Sequence, residues 1–343
     1  MATWFDESRL DDERVLTQAD GVLRPLAESG ARVRQEAGDA EGAITEAVRR
    51  AAELSQPRAV IAAGPDSRLL RAVLEPTCPV PFVAWPHASL PGWAGGLDLV
   101  VVLAPDGGNE ASRSAAEAVR RGSQLVVACP PDGSVAEHAA GRWSSVLPTR
   151  SRDQLATAVT MLEYLHRVHL GPASDAEEVA RALDEVAVAC SPHRDLAVNP
   201  AKMLAIALAD VSPLVWGGSV LAARAARRVA ERIRRASGRG AIAGDVDQLL
   251  PVLEAAAPRD VFDDPFADAG TARTHPMLLV LDDGSDNADI REQRGRLQAT
   301  ATARGVRIET ITTDAAEEVA RYASLYLSGS YAAAYLELGL VTD

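Results

Sequence analysis

Lysine is almost missing from this sequence. Among 343 residues with 35 basic side chains, Lys202 is the only lysine, and arginine supplies the rest. A bias toward arginine and alanine is typical of a genome rich in G and C. It also has a chemical consequence, because Lys202 is the one position where a lysine ammonium group could act.

Acidic residues outnumber basic ones, and cysteine is scarce. The formal net charge is −13, and a diffuse acidic surface repels phosphate backbones, so we expect no nucleic-acid partner. The three cysteines, Cys78, Cys129 and Cys190, are widely spaced and odd in number. This pattern fits neither a disulfide framework nor a metal cluster, and it predicts reduced, buried thiols. We expect no metal site and no cofactor.

Long apolar runs are the third absence. No stretch of the sequence approaches the ~20 apolar residues that a membrane-spanning helix needs. The N-terminus is acidic, with Asp6 and Glu7, and it lacks the basic region and apolar run of a signal peptide. We therefore expect a soluble, cytoplasmic protein that does not bind membranes.

Short apolar runs alternate with helix-like segments along the chain. The length suggests two domains. Strands are predicted at 58–63, 80–85, 97–103, 123–129, 212–216, 275–281 and 306–311. Helical segments are predicted at 8–55, 68–74, 110–122, 151–187, 201–209, 220–236, 288–304 and 315–338. This alternation is typical of an α/β fold, in which a doubly wound parallel sheet is covered by helices on both faces.

Changes in composition divide the chain into three parts. We predict an N-terminal helical segment at 1–50, a first α/β domain at 51–190 and a second at 191–343. The crossover is placed near 190–200, a segment with turn-forming residues and little hydrophobic periodicity.

Three local features are predicted as well. Gly30 and Gly38 are expected to interrupt the first helical segment, because glycine weakens helix interiors. Asn109 is expected to be the N-cap of the helix that follows it. Residues 259–273 are acidic and contain proline and glycine, so we expect a loop there.

Three strand-to-helix junctions, at 64–67, 106–109 and 217–219, carry small or polar residues. In a parallel sheet they lie at the carboxyl ends of strands, where ligands bind, and the start of a helix there offers free N–H groups to a phosphate. The alternative is that such turns need glycine, aspartate and asparagine for their own conformation. Likewise the hydroxyl groups of Ser112 and Ser219, at helix starts, could contact an anion, although we expect them to cap those helices. No junction matches the dinucleotide fingerprint or a P-loop.

Taken in order, these motifs resemble those of the sugar isomerase (SIS) family, in particular the bifunctional phosphoglucose/phosphomannose isomerases. Where the family has Gly-Met-Gly-Gly-Ser and Ser-Tyr-Ser-Gly-Asn-Thr-Glu-Glu, this chain reads Gly-Pro-Asp-Ser at 64–67 and Asp-Gly-Gly-Asn-Glu at 106–110. In the second half, Asn-Pro-Ala-Lys at 199–202 and Pro-Leu-Val-Trp-Gly at 213–217 are similar to the family's Asn-Pro-Ala-Lys and Pro-x-Ile-Tyr-Gly. The resemblance covers nearly the whole chain. It implies two SIS-type domains, each a Rossmann-like three-layer αβα sandwich.

The resemblance also implies sugar-phosphate recognition and aldose–ketose isomerisation. That reaction moves a proton between adjacent carbons and needs a base, usually glutamate, with histidine and lysine for ring opening. At the position of the glutamate this chain has an arginine, Arg234 or Arg235, which stays protonated. Residues 245–254, which match the family's histidine motif, contain no histidine. The family's lysine lies in a C-terminal extension that this sequence does not contain, and Lys202 is not its equivalent.

Candidate ligand-binding residues follow from the junctions and from two histidines. His87 is placed at the rim of the first sheet, and His193 in the crossover, which in SIS proteins contacts the partner subunit's cleft; for both, a plain surface histidine is the alternative. The sugar-phosphate-binding candidates are Gly64, Ser67, His87, Asp106, Gly107, Gly108, Asn109, His193 and Arg234. No catalytic residue is assigned.

Three functions remain open at this point. The favoured one is a catalytically degenerate SIS protein that binds a sugar phosphate of glucose or mannose metabolism. The alternatives are an active isomerase of glucose 6-phosphate or mannose 6-phosphate, and a non-catalytic structural or regulatory subunit. We expect a homodimer, because the family's clefts form between subunits, and another sugar-metabolism enzyme is a candidate partner.

Overall fold

The computed structural model describes residues 3–64, 67–256 and 275–342. Pro65 and Asp66 of the first junction, and the loop expected at 259–273, lie outside the described residues. The strands are β1 (Thr3–Phe5), β2 (Val60–Ala63), β3 (Phe82–Trp85), β4 (Leu99–Leu103), β5 (Gln124–Cys129), β6 (Ser144–Pro148), β7 (Val211–Gly217), β8 (Ile242–Ala243), β9 (His275–Asp282), β10 (Arg307–Thr312) and β11 (Leu340–Thr342).

The helices surround these strands on both faces. They are α1 (Glu13–Gln18), α2 (Asp20–Ala27), α3 (Ser29–Ala51), α4 (Ser67–Leu74), α5 (Asn109–Arg120), α6 (Ser134–His138), α7 (Gln154–Arg167), α8 (Ala176–Ala189), α9 (Pro200–Leu208), α10 (Val220–Ser237), α11 (Val246–Glu254), α12 (Ala288–Ala303) and α13 (Glu318–Gly339). Within the part of the chain that the structure describes, no helix is both long enough and apolar enough to cross a bilayer.

The chain divides into two compact units. The central unit is Ser29–Arg181, and the terminal unit combines Met1–Glu28 with Ala182–Asp343. The division predicted from the sequence, an N-terminal helical segment at 1–50 and α/β domains at 51–190 and 191–343, stays a prediction.

The central unit is built on a five-stranded sheet in the order β3-β2-β4-β5-β6, and all neighbouring strands are parallel. β4 is an unbroken run of leucine and valine whose five residues are all buried, as expected for a strand covered on both faces. Helices α3, α4 and α7 pack together on one face, and α5 packs against α6 on the other. The α/β class and the parallel, helix-covered sheet are confirmed.

The terminal unit has a four-stranded parallel sheet in the order β10-β9-β7-β8. Helix α13 packs against α9 and α10, while α11 packs against α12. A separate two-stranded ribbon pairs β1 with β11 in antiparallel fashion, so that Phe5 lies opposite Leu340.

Two local predictions are wrong. Gly30 and Gly38 do not interrupt the first helix but lie inside the 23-residue α3. The buried apolar face of α3, which includes Val33 and Ile44, outweighs the helix-weakening effect of glycine. Asn109 is the first residue of α5 rather than its cap, because Gly108 occupies the N-cap position.

The cysteines have no disulfide partners. Cys129 and Cys190 are buried and Cys78 is half-buried. Burial raises the pKa of the Cys129 thiol to about 11 and that of Cys190 to about 12, because a thiolate is poorly solvated in an apolar environment. Both thiols are therefore neutral at physiological pH, and their burial agrees with the prediction for these two cysteines.

Candidate functional site

The carboxyl ends of the central strands meet at one edge of the sheet. There the chain turns at Gly64 after β2, at 106–108 after β4 and at 130–133 after β5. Since β2 lies between β3 and β4 in the sheet, the structure brings Gly64 and Ser67 next to the segments that hold His87 and Asp106–Asn109. Seven of the nine candidate residues thus lie along this edge.

The turn between β4 and α5 is open at its two glycines. Gly107 and Gly108 have φ values of +71° and +105°, which glycine adopts without a steric penalty. Gly107 N–H donates to the carbonyl of Ala104 at 3.0 Å. The N-cap Gly108 provides no side-chain hydrogen bond to α5, and a Cβ built at either glycine would meet no atom within 4 Å.

This geometry leaves the first N–H groups of α5 available. A helix begins with four N–H groups that have no partner within the helix, and their partial positive charge attracts anions. Here no side chain caps these groups, and the space beside the two preceding glycines is open, so the turn can accept an anion.

Two serine hydroxyls meet beside the turn. Ser112 Oγ, in the first turn of α5, lies 3.4 Å from Ser134 Oγ at the start of α6. Ser112 is buried and Ser134 is exposed, so the pair links the interior to the surface. The sequence prediction missed Ser134, although Asp132-Gly133-Ser134 follows a predicted strand in the same way as the three junctions that were noticed.

Two further polar atoms at this edge are buried without a partner among the described residues. These are Ser67 Oγ at the start of α4 and Trp85 Nε1 at the end of β3. Their strands are neighbours, with Ala63 paired to Trp85, and Gly64 N–H donates to the Trp85 carbonyl at 3.0 Å. An unsatisfied buried donor costs about 1–3 kcal/mol, so a bound polar group would relieve a penalty already present in the fold.

The charges around the turn have both signs. Asp106 and Glu110 are both exposed, and Arg152 Nε lies 3.9 Å from Asp106 Oδ1. His87 is exposed, and its ring packs edge-on against Trp85 with the centroids 5.3 Å apart. An anion at the turn would therefore meet two carboxylates, one guanidinium and the positive end of α5.

The other two candidates, His193 and Arg234, belong to the terminal unit. His193 is exposed in the 190–200 segment. Arg234 lies in the last turn of α10, where its Nη1 donates to the Ala241 carbonyl at 2.6 Å. Because α10 begins at the carboxyl end of β7, its last turn lies toward the amino ends of the terminal strands. Neither residue shares an element with the other seven.

The 217–219 junction is closed rather than open. Ser219 Oγ accepts from Ala222 N–H at 3.0 Å and donates to the Asp283 carboxylate, so the expected capping role of Ser219 is confirmed. A Cβ at Gly217 would lie 2.3 Å from the backbone of Ala222. The glycine allows α10 to pack tightly on β7, which leaves no room for an anion.

Lys202 is a structural residue. Its side chain is fully buried, and Nζ donates to Asp11 Oδ1 at 2.6 Å and to the carbonyls of Pro192 and Arg194, both at 2.9 Å. All three ammonium protons are thus engaged. Lys202 fixes the 190–200 segment and presents no free amine for chemistry.

Metal ligands are not grouped in the described ranges. Across 3–64, 67–256 and 275–342, no three His, Cys, Asp or Glu side chains are arranged to hold a metal ion.

Comparison with known proteins agrees with this architecture. Residues 197–340 match the family "Bacterial phospho-glucose isomerase C-terminal SIS domain". No curated protein sequence matches the chain.

Solved structures with the same fold span both units. The tagatose-6-phosphate ketose/aldose isomerase of Escherichia coli has a TM-score of 0.64 at 11% identity, covering 96% of this chain and 93% of that one. The C-terminal domain of glucosamine-fructose-6-phosphate aminotransferase from Francisella tularensis has a TM-score of 0.62 at 11% identity, covering 92% of this chain and 95% of that one. A glucose-6-phosphate isomerase-like protein from Thermus thermophilus has a TM-score of 0.51 at 16% identity, covering 83% of this chain and 82% of that one.

The fold is therefore that of the phosphosugar isomerase-like SIS proteins. Within this class, residues 197–340 are similar to the bacterial phosphoglucose isomerase C-terminal SIS domain family.

Proposed function

We propose that this protein binds a sugar phosphate at the carboxyl edge of the central sheet and does not isomerise it. The observation that carries the proposal is the open, uncapped start of α5 at Gly107 and Gly108. The phosphate would accept hydrogen bonds from the first N–H groups of this helix, as anions do at helix N-termini.

The hydroxyl groups nearby support the same site. Ser112 and Ser134 lie within 3.4 Å of each other and can both donate to one phosphate oxygen or to neighbouring ones. Ser67 Oγ, buried without a partner among the described residues, and the exposed His87 would contact the sugar. The names of the structural neighbours, which include a tagatose-6-phosphate isomerase, make a hexose phosphate the class to test first.

The absence of turnover is the second part of the proposal. Isomerisation needs a base poised beside the substrate carbon, and the SIS resemblance puts an arginine, Arg234 or Arg235, at the position of the family's glutamate. Arg234 is engaged with the Ala241 carbonyl, and the ammonium group of Lys202 is buried and saturated. Neither residue can transfer the proton or open the ring.

Binding is tested by titrating fructose 6-phosphate into the protein by calorimetry and by thermal shift. A ligand that binds only the folded state raises the melting temperature. We expect the Ser112→Ala and Ser134→Ala variants each to bind about tenfold or more weakly, since a hydrogen bond to a charged group contributes about 1.5–3 kcal/mol. Ser55→Ala is the control, because Ser55 is exposed and precedes β2, at the opposite edge of the sheet. Unchanged affinity in both site variants would refute this location.

Catalysis is tested separately with glucose 6-phosphate and mannose 6-phosphate as substrates. We expect no conversion by the pure protein, whatever the binding result. Measurable turnover that is lost in the Ser112→Ala variant would show an active isomerase and would overturn the second part of the proposal.

The homodimer also stays a proposal. It rests on the SIS resemblance, and sedimentation at micromolar concentration checks it: a stable monomer would contradict it.

A further inference from the structure

The terminal unit contains a groove that the proposed sugar-phosphate site does not use. Its volume is about 470 Å³, within the range of about 300–1,000 Å³ typical of ligand sites. One wall is β10 and the residues that follow it, and the other is formed by α8, α9 and α13.

The groove runs along the edge of the sheet rather than across one of its faces. Every residue from Glu309 to Asp314 lines it, whereas one face of a strand would contribute only alternate residues. β10 is the outermost strand in the order β10-β9-β7-β8. Among the hydrogen bonds of the described residues, none from another element reaches the backbone of β10 beyond its pairing with β9. The edge is therefore free to pair.

The facing wall is largely apolar. Val186, Leu204 and the half-exposed Met203 line it, and Met is a side chain that adapts to varied partners. Ser324, a residue that is 6% exposed, also lines the groove. A buried hydroxyl inside a groove offers a hydrogen bond to an incoming polar group.

The charged residues that line the groove are mainly acidic. They are Glu185, Glu309 and Asp314, against a single cation among the lining residues, Arg307. Arg307 Nε donates to Glu309 at 2.8 Å, so the lining as a whole carries three carboxylates and one guanidinium. A phosphate ligand is disfavoured here and a cationic one is favoured.

We propose that this groove binds an extended peptide segment of a partner protein, one that alternates apolar and basic side chains. The peptide adds a strand to β10 through main-chain hydrogen bonds. Its apolar side chains pack on Val186, Met203 and Leu204, and its basic side chains lie near Glu185 and Asp314. Strand addition beside a helix-lined groove is an established mode of peptide recognition.

The probe is a fluorescein-labelled, end-capped hexapeptide of alternating valine and lysine, which matches the six residues of β10. We expect saturable binding in fluorescence polarisation that weakens with added salt. The Glu185→Lys and Asp314→Lys variants should each bind about fivefold more weakly, as expected for the reversal of one partly exposed ion pair. Glu254→Lys, an exposed change of equal charge at the end of α11, should leave the affinity unchanged.

The main-chain contribution is tested on the unaltered protein with two modified peptides. The first peptide is N-methylated at alternate residues, so that one of its edges cannot donate main-chain hydrogen bonds, and it should not bind. The second has glutamate in place of lysine, and it should not bind either. Equal binding of the N-methylated peptide would show that only side chains are recognised and would overturn strand addition. Failure of all peptides to bind, or a concentration-dependent dimer that Asp314→Lys dissociates, would overturn the proposal in favour of an empty groove or a second copy of the chain.

Discussion

Neutralising Asp106 is the sharpest test of where the anion binds. The Asp106 side chain is 60% exposed and immediately precedes Gly107, so it lies beside the space where the phosphate would sit. At a separation of about 6 Å and a dielectric constant of about 80, one pair of like charges costs about 0.7 kcal/mol, and a phosphate dianion about twice that. We therefore expect Asp106→Asn to tighten fructose 6-phosphate binding by about three- to tenfold at low salt.

Calorimetric titration at two salt concentrations measures this effect. The gain should shrink as salt screens the repulsion, and Arg152→Gln, which removes the guanidinium 3.9 Å from Asp106, should change the affinity in the opposite direction. Glu53→Gln removes an equal charge at the end of the sheet where the strands begin and should leave binding unaltered. If Asp106→Asn does not change or weakens affinity, the anion does not bind at Gly107 and Gly108.

Three further predictions concern the framework that holds these sites. Lys202→Met should lower the free energy of unfolding in urea by about 2 kcal/mol or more, because it leaves the Asp11 carboxylate and two carbonyls without their donor. The hydrogen bond from Lys202 lowers the pKa of Asp11 below its usual value of 3.8. The ionised carboxylate therefore stabilises the folded protein above that pH, and this stabilisation is lost on acidification. In the Asp11→Asn variant, the free energy of unfolding should depend less on pH below pH 4. Gly329→Ala should destabilise by about 1–3 kcal/mol because its Cβ would lie 2.4 Å from Val229 Cγ2, whereas Gly38→Ala, with open space, should stabilise by about 0.5–1 kcal/mol.

Much of the architecture could be predicted because its strands are strongly patterned. β4 and β9 are apolar runs that only a buried strand explains, and both were located within two residues of their observed bounds. β6 was missed, because Ser-Ser-Val-Leu-Pro at Ser144–Pro148 lacks that apolar density. Its place at the edge of the sheet, where one side of the strand needs no partner, permits such a weak pattern.

The candidate site was only partly accessible from sequence. Glycine-rich junctions can be located, but whether one is open depends on packing that sequence does not show. The open turn at Gly107 and the closed one at Gly217 look alike in the sequence, and they differ because Ala222 lies against the second. The pairing of Ser112 with Ser134 joins two different helices and requires the tertiary structure.

The terminal unit is made of two segments of the chain, and this has a consequence for the order of folding during synthesis. Residues 1–28 are translated before any of the central unit, yet Phe5 pairs with Leu340, which is translated after it. The central unit is a continuous segment and can fold as soon as it emerges, since domains generally fold as units. β1 can pair only after β11 has been translated, so a truncation that removes β11 should leave β1 unpaired and the central sheet intact.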